Sequence, residues 1–93
     1  MVDGLLSLAL YADDWKFAQD ICTKYSRHKD ENVRGIAILC FGHIARLHRK
    51  LDLDMVLPII KEATNDQSPF VRGHAESALD DIEIFITDII SEV

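Results

Sequence analysis

The sequence predicts an all-α fold: a short right-handed α-solenoid of about two helical hairpins behind a short leading helix, about five helices in all. Three observations carry that expectation. The run Val33-Arg34-Gly35-Ile36-Ala37 returns as Val71-Arg72-Gly73-His74-Ala75, an offset of 38 residues. Carried outward, the offset sets Cys40 on Ala78, Phe41 on Leu79, Ile44 on Ile82, Ala18 on Val56, Ile21 on Ile59 and Cys22 on Ile60. Core-type residues thus meet core-type residues over about 30 positions, the mark of an internal repeat. Apolar residues also follow the 3.6-residue period, and no segment alternates apolar and polar as a half-buried strand does.

Element by element, Leu5, Leu6, Leu8 and Ala9 suggest the leading helix. Asp13 or Asp14 is a plausible N-cap for a helix carrying Trp15, Ala18, Ile21, Cys22 and Tyr25 on one face. Ser26-Arg27-His28-Lys29 makes a polar turn, and Asp30 opens a second helix running to about Lys50. Its inward stripe is Val33, Ala37, Cys40, Ile44 and Leu47, and Arg46, Arg49 and Lys50 suit its negative dipole end. In the second unit Asp52 or Asp54 caps a helix reaching about Thr64, slightly kinked by Pro58 if the cap is Asp52. Asn65-Asp66-Gln67 turn the chain; Ser68 caps and Pro69 takes the first helical position. Val71, Ala75, Ala78, Ile82, Phe85 and Ile89 then line the last helix. The expectation is one domain, 1–93, with repeat units of about 14–50 and 53–90. Neither hairpin buries enough surface alone, so the two must share a core.

Composition limits the function. A chain of 93 residues with 48% apolar and 28% charged residues suits one modest core. No apolar run approaches the roughly 20 residues of a membrane span. The N-terminus has an early acid, Asp3, and no basic region before its leucines, so it does not read as a secretory signal. A cytoplasmic location is the expectation. Cys22 and Cys40 lie on apolar helix faces without a spacing motif, which favours buried free thiols over a disulfide. The net charge of −6 is uneven. Residues 24–50 carry seven bases and two acids, whereas residues 73–93 carry six acids and no base. An acidic chain is a poor general nucleic-acid binder, and it suits a basic partner, though acidity also serves solubility alone.

Asp30, Val33, Arg34 and Ala37 form an Asp-x-x-Val-Arg-x-x-Ala pattern that resembles the second helix of a HEAT repeat, as do Asp66, Val71, Arg72 and Ala75. The resemblance covers roughly residues 14–90 and makes the expected domain a HEAT-like one. It implies that the Val and Ala pack inward and that Asp30, Arg34, Asp66 and Arg72 form a hydrogen-bonded ladder between neighbouring repeats. Asp30 precedes its Arg by four residues and Asp66 by six, which sets Asp30 apart. The stretches Leu39–His48 and Ala78–Phe85 also look like short stand-alone bacterial HEAT-like proteins. Some of these are toxin antidotes, such as the immunity proteins of contact-dependent growth inhibition systems.

Catalytic chemistry finds little support. His43 and His48 are five apart, about 140° round a helix, and cannot share a metal there. His43 aligns with Asp81 through the repeat, which suggests a polar contact between helices. Asp80 and Asp81 point about 100° apart and cannot share a proton as a dyad. The sequence holds no glycine-rich phosphate loop, paired-cysteine zinc pattern or nucleophile elbow. Gly35, Gly42 and Gly73, each costing about 1 kcal/mol inside a helix, suggest close helix approach or clearance for a partner. No enzyme activity, cofactor or metal is expected.

With Val33, Ala37, Cys40 and Ile44 inward, the opposite stripe of the second helix is Arg34, Gly35, Ile38, Gly42, Ala45 and Arg49. The offset converts it to Arg72, Gly73, Glu76, Asp80, Glu83 and Thr87. Like charges one turn apart repel by a few tenths of a kcal/mol per pair, so the row Glu76, Asp80, Glu83 invites Lys or Arg from a partner. The expected contact surface is Glu76, Asp80, Asp81 and Glu83, with Ile38 and Gly42 as a shallow apolar patch. The leading expectation is a non-catalytic protein-binding module, most sharply an antitoxin or immunity protein that blocks a basic toxin. A self-associating scaffold subunit is one alternative. A nucleic-acid binder using Arg34, Arg46, Arg49 and Lys50 is the other. The oligomeric state is open.

Overall fold

The computed structural model describes residues 13–86 together with Gly4 and Ser7. Four helices occupy residues 13–86: α1 (Trp15–Tyr25), α2 (Glu31–His48), α3 (Leu53–Ala63) and α4 (Pro69–Phe85). The described residues contain no strand. The leading helix expected over Leu5–Ala9, and the expected positions of Thr87 and Ile89, lie outside the described residues.

The hairpins α1–α2 and α3–α4 repeat down to their caps. Asp14 and Asp52 cap α1 and α3 from 38 residues apart, and Asp30 and Ser68 do the same for α2 and α4. Each side chain accepts a hydrogen bond from an N–H of the first turn, which the helix itself cannot satisfy. At the far ends, Ser26 donates its hydroxyl to the Thr23 carbonyl and Thr64 donates to that of Lys61, again 38 apart. Pro58 is the sixth residue of α3 and removes one helical hydrogen bond, on an exposed face where water can replace it. Helix α2 ends at Arg49, which takes the left-handed conformation with φ 54° and leads into α3.

The central element is α2, which packs most extensively on α4, next on its hairpin partner α1, and only lightly on α3. Its stripe of Val33, Ala37, Cys40 and Ile44 is buried as expected, whereas Leu47 is half exposed. Phe41, Ile38, Ile44, Ile60 and Ile82 are the largest fully buried side chains, each contributing roughly 1.5–3 kcal/mol on leaving water. Cys22 and Cys40 are buried free thiols. A hydrogen bond with Cys40, together with burial, pushes the Cys22 thiol far above the usual range, which suppresses the reactive thiolate.

The hairpins are tied by N–H···O bonds from both sides, beside weaker contacts of Gln19 and Thr23 with the Met55 sulfur. Gln19 of α1, fully buried, accepts the Asp52 N–H on Oε1 at 2.7 Å at the start of α3. Arg34 of α2 grips Asp66 of the α3–α4 turn, donating Nε to Oδ2 at 3.0 Å and Nη2 to Oδ1 at 2.9 Å. The ladder expected from the sequence is corrected in two members: Arg34 and Asp66 pair, whereas Arg72 holds carbonyls of its own turn and Asp30 serves as a cap. The side chain of Asp30 accepts from Asn32 N–H and does not reach an arginine. The acid of the ladder sits two residues before the cap, at position 66, and the equivalent position in the first hairpin is His28. Like Asp66, which accepts the Ser68 N–H, His28 accepts the Asp30 N–H through Nδ1.

Candidate protein-docking face on the last helix

Helix α4 turns Val71, Ala75, Ala78 and Ile82 inward. A 17-residue helix with that stripe must carry its acids outside, and Glu76, Asp80 and Glu83 are all exposed. They follow Gly73 along one side of the helix, and Ile84, 56% exposed, lies beside them. Asp81 stands apart, half-buried on the α2 side, its carboxylate against Gly42.

Ile38 and Gly42 are not part of this surface. Ile38 is 1% exposed and Gly42 is buried, which corrects their assignment to an apolar docking patch. The stripe read as facing away from the core is the one that α2 turns toward α4. A central helix is covered on two sides, by its own hairpin partner and by the next hairpin, so one inward stripe was too few. The glycines serve that approach. A Cβ on Gly35 would sit 2.5 Å from the Phe70 ring, and one on Gly42 would sit 3.3 Å from the Ala78 Cα. On Gly73 it would meet nothing within 4 Å.

The two arginines of the repeat are held alike. Arg34 donates Nη1 to the carbonyls of His28 and Lys29, and Arg72 donates Nη1 to those of Asp66 and Gln67. Arg34 adds its fork on Asp66, an arrangement geometrically more specific than a lysine contact. That fork, with the Ser68 N–H, holds the Asp66 carboxyl below its usual range. Beside it an open cleft of about 500 Å³ lies between the two turns, with Arg27 and Glu62 on its walls. Its central charges, Arg34 and Asp66, already neutralise each other.

On the other flank, Arg46 donates Nη2 to His43 Nδ1 at 2.6 Å. Burial, the Arg46 charge and His74 lower the His43 pKa, against an opposing pull from Asp81. His74 is lowered by burial and stands edge-on to the Phe70 ring at 4.5 Å. Both imidazoles are therefore neutral near pH 7. Of the basic residues expected to act together, Arg34 is engaged with Asp66, whereas Arg46, Arg49 and Lys50 are exposed, Arg49 lying over the Phe85 ring at 5.8 Å. Among the described residues no three His, Cys, Asp or Glu side chains converge to hold a metal, and no helix is long and apolar enough to cross a membrane.

Sequence reasoning passed over Gln19, the caps Ser26 and Thr64, and the pairing of His28 with Asp66 through the repeat. The offset of 38 was the signal that could have found the last three. No family model, curated protein or solved structure matches this chain.

Proposed function

We propose that this chain is a small HEAT-like α-solenoid unit of two hairpins behind a leading helix, five helices in all. It acts in the cytoplasm as a non-catalytic protein-binding module. Its sharpest form is an immunity or antitoxin protein that occupies the basic site of a toxin. One observation carries the reading: Glu76, Asp80 and Glu83 stand exposed on the outer row of α4, at the positions where α2 carries the face covered by the next hairpin. A nuclease toxin must hold phosphate with Lys and Arg, and an acidic helix face can occupy such a site in its place. The nucleic-acid alternative is weakened because Arg34 spends its donors on Asp66 and two carbonyls, leaving Arg46, Arg49 and Lys50 as the exposed cations of that set.

The test is affinity capture from the source organism with the wild-type chain, identification of the captured protein, and repetition with Glu76→Lys, Asp80→Lys and Glu83→Lys combined. A basic partner that is lost from the triple variant, with helical content unchanged by circular dichroism, supports the reading. Retention of that partner rejects the face. Light scattering on the isolated chain addresses the scaffold alternative, since a stable oligomer favours it over a heterologous partner.

A further inference from the structure

The occupied seam on α2 shows what the open side of α4 is shaped to receive. On α2 the seam consists of Arg34, Gly35, Ile38, Gly42 and Ala45, and α4 lies in it. Gly35 and Gly42 admit the neighbouring helix, and the Arg34 fork clamps Asp66 at the turn end. Thirty-eight residues on, the outer side of α4 repeats the series as Arg72, Gly73, Glu76, Asp80 and Glu83. The carbonyls of Asp66 and Gln67 hold Nη1 of Arg72 as those of His28 and Lys29 hold Arg34. Among the described residues, no carboxylate meets the Nε–Nη2 edge of Arg72, the edge that takes Asp66 in Arg34. Among the described residues, none fills the notch at Gly73.

We infer that the outer side of α4 is a helix-docking seam whose occupant is a helix from a different protein. That helix brings a carboxylate to Arg72 from two residues before its N-cap, as Asp66 precedes Ser68, and sets Lys or Arg against Glu76 and Asp80. The inference rests on the proposed protein-binding reading and adds to it the polarity and chemistry of the partner. Charge selects the occupant. Where α2 presents Ile38 and Gly42 to its neighbour, α4 presents Glu76 and Asp80, so an apolar helix would strand charges while a basic one pairs them. A second copy stacked in the same sense brings His28 to Arg72 in place of an acid. His28 Nδ1 already accepts the Asp30 N–H, so the free ring nitrogen carries a proton and cannot accept from arginine.

The probe is a stapled, lysine-bearing helical peptide with Asp two residues before a Ser cap, alongside a twin in which that Asp is Asn. Fluorescence anisotropy reads both against the wild-type chain, Arg72→Gln, Arg72→Lys, and Glu76→Lys with Asp80→Lys. The Asp peptide should bind the wild-type chain about tenfold tighter than its twin. That gap should close in Arg72→Gln and narrow in Arg72→Lys, which keeps the charge but loses the fork. The double acidic variant should weaken both peptides alike. Binding of both peptides with no gap, or with a gap that survives Arg72→Gln, overturns the inference while the acidic-face reading stands. Failure of both peptides to bind overturns the two together. Self-association in sedimentation velocity that Arg72→Gln abolishes identifies a second copy as the occupant, and overturns the inference as well.

Discussion

The guanidinium of Arg34 and the carboxylate of Asp66 meet through two parallel hydrogen bonds, with side chains only 21% and 18% exposed, and so join the first hairpin to the turn of the second. Among the described residues, Arg72, its repeat equivalent, spans only its own turn. The two should therefore differ in their contribution to folding. Arg34→Ala removes a half-buried fork and two carbonyl contacts, and should cost about 1–2 kcal/mol. Arg72→Ala should cost about half as much, within the range of ordinary hydrogen bonds. Urea unfolding followed by circular dichroism measures both, and equal losses would contradict the asymmetry.

Gln19 should matter more than its place on α1 suggests. Its amide is buried and its Oε1 takes the Asp52 N–H. Gln19→Leu keeps the volume but orphans that donor, and should cost about 1–3 kcal/mol. Gln19→Glu keeps an acceptor but buries a charge, and its loss should shrink when the pH is lowered enough to protonate the carboxyl. Denaturant melts at two pH values check both statements.

The three helical glycines should respond in opposite directions. Among the described residues none faces Gly73, so Gly73→Ala should stabilise the chain by about 0.5–1 kcal/mol through helix propensity and a less flexible unfolded state. Gly42 lies against the Ala78 backbone and the Asp81 carboxylate, so Gly42→Val should force α2 and α4 apart and cost about 1–3 kcal/mol. Gly35→Ala meets the ring of Phe70, which is 38% exposed and can swing away, so its effect should fall between the other two. Thermal melts of the three variants give the ranking directly.

Stability should fall in two separate acid windows. His43 and His74 have pKa values depressed by folding, so each takes up its proton more readily in the unfolded chain. Their contribution is complete above the ordinary histidine value of about 6.5, and is lost as pH falls below it toward the folded values. Asp66 is depressed as a carboxylate. Its contribution is present above the ordinary value of about 3.9 and is lost as pH falls through its folded value. Unfolding free energies measured from pH 8 to pH 3 should show both declines. His43→Gln with His74→Gln should flatten the first, and Asp66→Asn the second. A curve unchanged by the histidine variants would mean those rings are solvated in the folded state.

Local physics made most of the helices legible. The caps Asp30 and Ser68, the Pro69 start and the polar turns at 26–29 and 65–67 act through the backbone within a few residues, so their roles could be read along the chain. For α1 and α3 the sequence left two candidate caps each, and the structure selects Asp14 and Asp52. The exposure of Glu76, Asp80 and Glu83 followed from the same period, because acids opposite an apolar stripe have nowhere else to go.

Composition, period and caps in the chain by themselves determined that it is helical, where α2 and α4 begin, and which residues could form a core. Tertiary packing decided the remainder: that Ile38 and Gly42 are interior, that Asp30 is a cap while Asp66 takes Arg34, and that Gln19 is a buried bridge. The physical reason is that hydrophobic period shows which face of a helix avoids water but not how many neighbours cover it. A polar side chain's partner 32 or 33 residues away depends on how two hairpins dock, which no local propensity encodes.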